Sequence, residues 1–67
     1  MTVTNANRGD VIATRNNINR VKRRWPDATC EQVYADVWLV QWGAGSVVKA
    51  ATRARAWQLA AAYAAAN

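Results

Sequence analysis

The sequence predicts an all-α protein, folded as one compact three-helix unit over about residues 10–25, 29–42 and 46–64. Three observations support this fold class. Apolar residues recur at helical spacing early in the chain, a capping box precedes its apolar centre, and the last third consists of strong helix formers. A chain of 67 residues has room for a single domain. We therefore predict a disordered N-terminal arm at residues 1–9 and a single small helical domain at residues 10–67.

The first predicted helix carries a narrow apolar stripe. It begins near Asp10, a candidate N-cap, and it ends at Trp25 because Pro26 pushes the residue before it out of the helical region. The stripe consists of Val11, Thr14, Ile18, Val21 and Trp25. The other sides are basic and rich in asparagine, so we expect the stripe to dock this helix onto the rest of the protein.

The second predicted helix has a competing interpretation. Thr29 and Gln32 form a capping box, and the stretch CEQVYADVWLVQW is apolar on nearly all sides, as expected of a central helix. However, VWLVQW is also rich in β-branched and aromatic residues, and GAGS can form the turn of a hairpin that returns as SVVKAAT. The alternative fold class is therefore α+β, with a hairpin at about residues 37–52.

The third predicted helix comes after a glycine-containing break. GAG at residues 43–45 interrupts the chain, Ser46 can cap a helix that begins there, and residues 47–66 favour a helix almost throughout. Residues 30–60 thus have a helix-turn-helix outline: a buried helix, a short turn, and a second helix with Lys49 and Arg53 exposed near its start. In that motif the second helix enters the major groove of DNA.

The charge of the chain indicates a polyanionic partner. The net charge is +5, with six basic residues and one acidic residue in residues 1–25 and three further basic residues in 46–67.

The hydrophobic core is expected to be small, since alanine supplies 15 of the apolar residues, so we expect a homodimer. We expect Trp25 and Trp57 in the core. The chain has no apolar run long enough to span a membrane, and its first ten residues lack the apolar core of a secretion signal. We therefore expect a cytoplasmic protein with no membrane partner.

Enzymatic function is not expected. The chain has no histidine for acid–base work, its four acidic residues are scattered, and its single cysteine cannot form an internal disulfide. GAGS is too short for a phosphate-binding loop. We therefore predict no catalytic residues, no metal site and no cofactor.

Nucleic-acid binding is the function that the sequence favours. We predict a small basic DNA-binding protein, a transcriptional regulator or accessory factor of the phage or plasmid type, which prefers duplex DNA to RNA. Arginine supplies phosphate contacts, and both arginine and asparagine can read base edges. The candidate nucleic-acid-binding residues are Arg15, Asn16, Asn19, Arg20, Arg23, Arg24, Lys49, Arg53 and Arg55.

Two alternatives remain at this point. The first is a protein-interaction module, a small inhibitor or adaptor that binds an acidic protein through its basic helix and through a partner or dimer surface of Trp38, Trp42 and Leu39. The second is an arginine-rich RNA-binding protein. TRNNINRVKRRW resembles, in composition, the arginine-rich viral and phage peptides that fold on their RNA target. The resemblance covers 12 residues and implies RNA as the partner.

Overall fold

The chain forms a two-helix, three-strand α+β fold. The computed structural model describes residues 3–43 and 45–66, with side chains described from residue 11 onward. Its elements are α1 (Val3–Arg24), β1 (Thr29–Tyr34), β2 (Val37–Trp42), β3 (Ser46–Ala50) and α2 (Arg53–Ala66). The three strands form one antiparallel sheet in the order β1-β2-β3.

The predicted all-α class is wrong, and the error lies in residues 29–42. This segment forms strands β1 and β2 instead of a helix. The predicted capping box does not cap a helix, because its residues lie in strand β1. The Gln32 side-chain amide instead donates to the carbonyl oxygen of Ala35, in the turn between the strands, at 3.1 Å. The helix-turn-helix outline is wrong for the same reason, and the motif on which a transcription regulator was predicted is absent from the described residues.

The alternative hairpin at about 37–52 corresponds to β2 and β3. Its loop contains Gly43 and Gly45, whose φ angles of 63° and 138° lie in a region that residues with a side chain seldom adopt. Position 46 therefore begins a strand, not a helix. The helix predicted from 46 starts only at Arg53, where the Thr52 hydroxyl accepts a hydrogen bond from the Arg55 backbone N–H at 3.2 Å.

The first predicted helix is present, and it is longer than the sequence indicated. α1 begins at Val3, inside the stretch where an arm was expected, and it ends at Arg24, one residue before the predicted end at Trp25. Trp25 is followed by Pro26, which accounts for the stop. The α1–β1 loop is tied to the β2–β3 loop, because the Gly43 backbone N–H donates to the Asp27 carboxylate at 2.9 Å.

The sheet has a core face and an open face. Cys30, Val40 and Val48 lie side by side across the three strands, and Val40 and Val48 are buried, so this row marks the core face. Neighbouring rows point the opposite way because side chains alternate along a strand. We call that opposite side the open sheet face; it consists of Thr29, Glu31, Val37, Leu39, Gln41, Val47 and Lys49.

α2 lies on the core side of the sheet and α1 packs on α2, and we call these two helices together the helix layer. α2 packs on the strands and on α1 through small buried residues, including Ala56, Ala60 and Ala61, which permit close approach. α1 contributes Val21, which is fully buried. At the end of α1, Trp25 stacks on Trp42 of β2, with ring centroids 4.4 Å apart. The hydrophobic core therefore lies between the helix layer and the sheet.

Candidate nucleic-acid interface

The side of α1 that faces away from the core carries a row of hydrogen-bonding side chains. Thr14 and Val21 are buried and Ile18 is half-buried, so they fix which side of the helix is inward. Side chains three, four and seven positions apart share one side of a helix. Four predicted site residues have this spacing on the opposite side, and all four are exposed: Asn16, Asn19, Arg20 and Arg23. We call them the outer stripe of α1.

Basic residues border the outer stripe on both sides. Arg15 and Lys22, which are seven residues apart, lie along one border. Arg24 lies along the other, toward α2, and its guanidinium carbon is 5.9 Å from the centre of the Trp25 ring. Arg24 also lines an open cleft that is bounded by Trp42 and Tyr63. The outer stripe therefore has positive charge on each side of it.

Arg55 extends this surface onto α2. It lines an open cleft between the two helices together with Thr14 and Asn17 of α1. Its Nη1 donates to the Gln58 side-chain oxygen at 2.7 Å, which holds the guanidinium along the helix. Arg55 is thus on the α1 side of α2, and the structure brings it to the same layer as the α1 arginines.

Arg53 lies near β1. Its charge acts on the Cys30 thiol of β1: burial raises the pKa of that thiol, Arg53 partly offsets this, and Glu31 adds a smaller upward shift. Residues 53 and 55 are about 200° apart around a helix, so Arg53 and Arg55 point to opposite sides of α2. Arg53 therefore belongs to the helix layer but does not face α1.

Lys49 is separated from the other candidate residues. It lies on the open sheet face, in a row with Glu31 and Leu39, whereas α2 packs on the other side of the sheet and α1 packs on α2. Lys49 was grouped with Arg53 because both were expected on one helix. With residue 49 in a strand, that grouping no longer holds.

The charges of the molecule are segregated between its two layers. The two helices, Val3–Arg24 and Arg53–Ala66, hold six and two basic residues, eight in total, and one acidic residue, Asp10. Asp27 lies in a loop, Glu31 on the open sheet face and Asp36 in the turn between β1 and β2. The positive potential is therefore concentrated on the helix layer, where the outer stripe lies.

The predicted partner surface of Trp38, Trp42 and Leu39 is not one patch. Trp42 is 7% exposed and Trp38 is half-buried against the core, whereas Leu39 points to the open sheet face. The open sheet face itself was not predicted. The signal for it was the alternation within VWLVQW, which puts Val37, Leu39 and Gln41 on one side and the tryptophans on the other.

Comparisons with known proteins add nothing to this description, since no protein family, no curated protein and no solved structure matches the chain. Within residues 3–43 and 45–66, no group of three or more His, Cys, Asp or Glu residues is placed to hold a metal ion. Over the same residues, neither helix combines the length and apolar character that crossing a membrane requires.

Proposed function

We propose that the protein binds duplex DNA by placing α1 in the major groove. The outer stripe of α1 is the observation that carries this proposal, because it aligns two asparagines and two arginines on one outward side of a helix. Arginine pairs with the two acceptors of guanine and asparagine with the acceptor and donor of adenine, so both residue types can read base edges. The bordering Arg15, Lys22 and Arg24 would lie toward the phosphates on either side of the groove.

The dimensions of α1 support this placement. Its 22 residues correspond to a rod about 33 Å long at 1.5 Å per residue. An α-helix with its side chains is about 10–12 Å across, and the major groove of B-form DNA is about 12 Å wide. Ile12 lies one turn before Asn16 and is 56% exposed, so the stripe continues with an apolar side chain of the kind that can contact a thymine methyl group.

Duplex DNA is favoured over duplex RNA by the shape of the groove. The major groove of A-form RNA is deep and narrow, and side chains on a helix cannot read it. Single-stranded RNA is bound largely through bases that stack on aromatic side chains, with arginine planes as a second kind of platform. The basic side of α1 has no aromatic residue between positions 11 and 24.

The proposal is tested by comparing two charge-reducing variants in anisotropy titrations with a labelled DNA duplex. Arg20→Ala combined with Arg23→Ala removes both arginines of the outer stripe, and we expect binding to weaken at least about tenfold. Lys49→Ala is the control for charge lost outside the proposed interface, because it removes one positive charge, against two in the double variant, from the opposite layer. We expect it to change the affinity by less than about twofold. The titrations use protein concentrations well below those at which two copies would associate.

Two results would contradict the proposal. One is an equal loss of affinity in the Lys49→Ala control, which would mean that the net charge matters and the outer stripe does not. The other is equal affinity for an RNA duplex of the same sequence, because α1 would then not be lying in a major groove.

A further inference from the structure

We propose that two copies of the chain associate through the open sheet face, around a twofold axis that lies between the two sheets and nearly parallel to β2. The described helices leave this face uncovered, since α2 packs on the other side of the sheet and α1 packs on α2. Its centre is apolar: Leu39 and Val37 are half-buried in the central strand, and Val47 beside them is 46% exposed. This inference does not depend on the proposed DNA binding.

The charges around the centre of the face are arranged so that they match a second copy. Glu31, Leu39 and Lys49 form one row across the three strands, with Leu39 in the middle. A twofold axis nearly parallel to β2 reverses this row in the partner. Each Glu31 then meets the Lys49 side chain of the second copy, and Leu39 meets its own copy at the axis, which is the self-complementary pattern that a twofold interface requires.

The next row is compatible with the same axis. Thr29, Gln41 and Val47 lie side by side, again with the β2 residue in the middle. Reversal puts Val47 against Thr29 of the second copy, and the two Gln41 amides can donate to and accept from each other. No like charges oppose each other in either row.

The size of the face sets the expected strength of association. Three strands about 4.8 Å apart and about six residues long make a face of roughly 14 by 20 Å. This is less than the roughly 800 Å² per partner of a standard stable interface, so we expect a dimer that dissociates in the micromolar range or above. Such pairs of sheets pack about 10 Å apart with strands about 30° from parallel, which keeps the central Glu31–Leu39–Lys49 row in register.

The arrangement is tested by exchanging charges between the two copies. Glu31→Lys alone would oppose lysines across the axis, and Lys49→Glu alone would oppose glutamates. We expect each variant alone to dissociate at least about tenfold more readily than the wild type in sedimentation equilibrium. Mixing the two variants should restore association, because a chain with two lysines in this row would then face a chain with two glutamates.

The matched control is Asp36→Lys, which makes the same change of charge in the turn outside this face, and we expect it to associate like the wild type. Thermal unfolding followed by circular dichroism checks that each variant is folded. A wild type that stays monomeric up to millimolar concentration would overturn the proposal. So would single variants that still associate like the wild type, or a mixture that fails to restore what the single variants lost.

Discussion

At the scale of single residues, the tryptophans account for much of the core. Trp25 and Trp57 were expected inside from their helical spacing, and this is confirmed: Trp57 is 3% exposed and Trp25 packs against the core. The stack of Trp25 on Trp42 joins residues 17 positions apart. It was not predictable from spacing within one element, because it depends on how the loop after α1 folds back onto β2.

The Trp57 indole nitrogen, Nε1, is buried and has no hydrogen-bond partner among the described residues. A buried donor without a partner costs about 1–3 kcal/mol, which offsets part of what the ring contributes by burial. We expect Trp57→Phe to lower the free energy of unfolding by less than about 1 kcal/mol in urea titrations, since the change removes that donor.

Trp42→Phe is the comparison, because it is also a change of a buried indole to a phenyl ring. It weakens the stack with Trp25, so we expect a loss of about 1–2 kcal/mol. A larger loss for Trp57→Phe than for Trp42→Phe would contradict this, because the cavity left by the smaller ring would then outweigh the gain from removing the unpartnered donor.

Cys30 gives a prediction about pH. Burial raises the pKa of its thiol, so the thiolate that reacts with iodoacetamide forms at higher pH than in an unfolded peptide. Because the folded state holds this proton more tightly, the stabilisation is present below the unfolded pKa and is lost as the pH rises through the folded pKa. We expect alkylation of the folded protein to follow a pH profile shifted upward from that of the denatured chain.

Arg53→Ala provides the second arm of that experiment. The Arg53 charge lowers the pKa of the Cys30 thiol, so its removal should move the alkylation profile further toward high pH. Arg55→Ala, on the opposite side of α2, should leave the profile unchanged. A downward shift on removing Arg53 would contradict the placement of that side chain near β1.

At the scale of elements, the helices were easier to predict than the strands. α1 carries a helical apolar stripe inside a polar segment, and only one interpretation fits that pattern. Residues 29–42 fit two interpretations. The apolar residues in this segment have helical spacing at Cys30, Val33, Val37 and Val40, and the same segment also alternates like a strand. The deciding contact is the pairing of β2 with residues 46–50, and no local pattern in 29–42 contains it.

The start of α2 shows how a local signal was outweighed. Ser46 and Thr52 can both cap a helix, but residues 47 and 48 are valines that gain more in the sheet, where Val48 is buried beside Val40. The helix therefore begins only after Thr52. Its N-terminal turn holds two arginines and no acidic residue, so the cap is the main support for this helix end.

Removing this cap should weaken α2. Thr52→Ala deletes the hydroxyl that accepts from the Arg55 N–H, and we expect a loss of about 1 kcal/mol in the free energy of unfolding. Thr52→Ser keeps the hydroxyl and should stay within a few tenths of a kcal/mol of the wild type. Chemical denaturation of the three proteins checks this, and equal stability of Thr52→Ala and wild type would place the start of α2 elsewhere.

At the scale of the whole molecule, the sequence predicted the charge of the surface better than its arrangement. The outer stripe of α1 could be derived because its residues share one helix. The separation of Lys49 from that stripe could not, because it depends on which side of the sheet the helices cover. The two layers consequently differ in charge: the two helices hold eight basic residues and one acidic residue, whereas residues 26–50 hold three acidic residues and one lysine.

The proposed dimer and the proposed DNA binding together have a consequence for the whole molecule. In a dimer joined through the open sheet faces, the two helix layers lie on the outer sides, and the outer stripes are turned away from each other. Such a dimer would hold two separate DNA duplexes and not two neighbouring sites on one. This consequence requires both the dimer and the DNA binding, whereas the DNA titrations and the sedimentation measurements each test one of them alone.

The central claim is that the basic residues beside the outer stripe of α1 contact DNA phosphates, and the salt dependence of binding tests it most directly. On a plot of log affinity against log salt concentration, each phosphate contact contributes about −0.9 to the slope. We predict that Arg15→Ala combined with Lys22→Ala makes the slope shallower by about 2 units. Lys49→Ala should leave it unchanged. Binding that is insensitive to salt, or a slope that Lys49→Ala reduces while the Arg15 and Lys22 changes do not, would contradict the account.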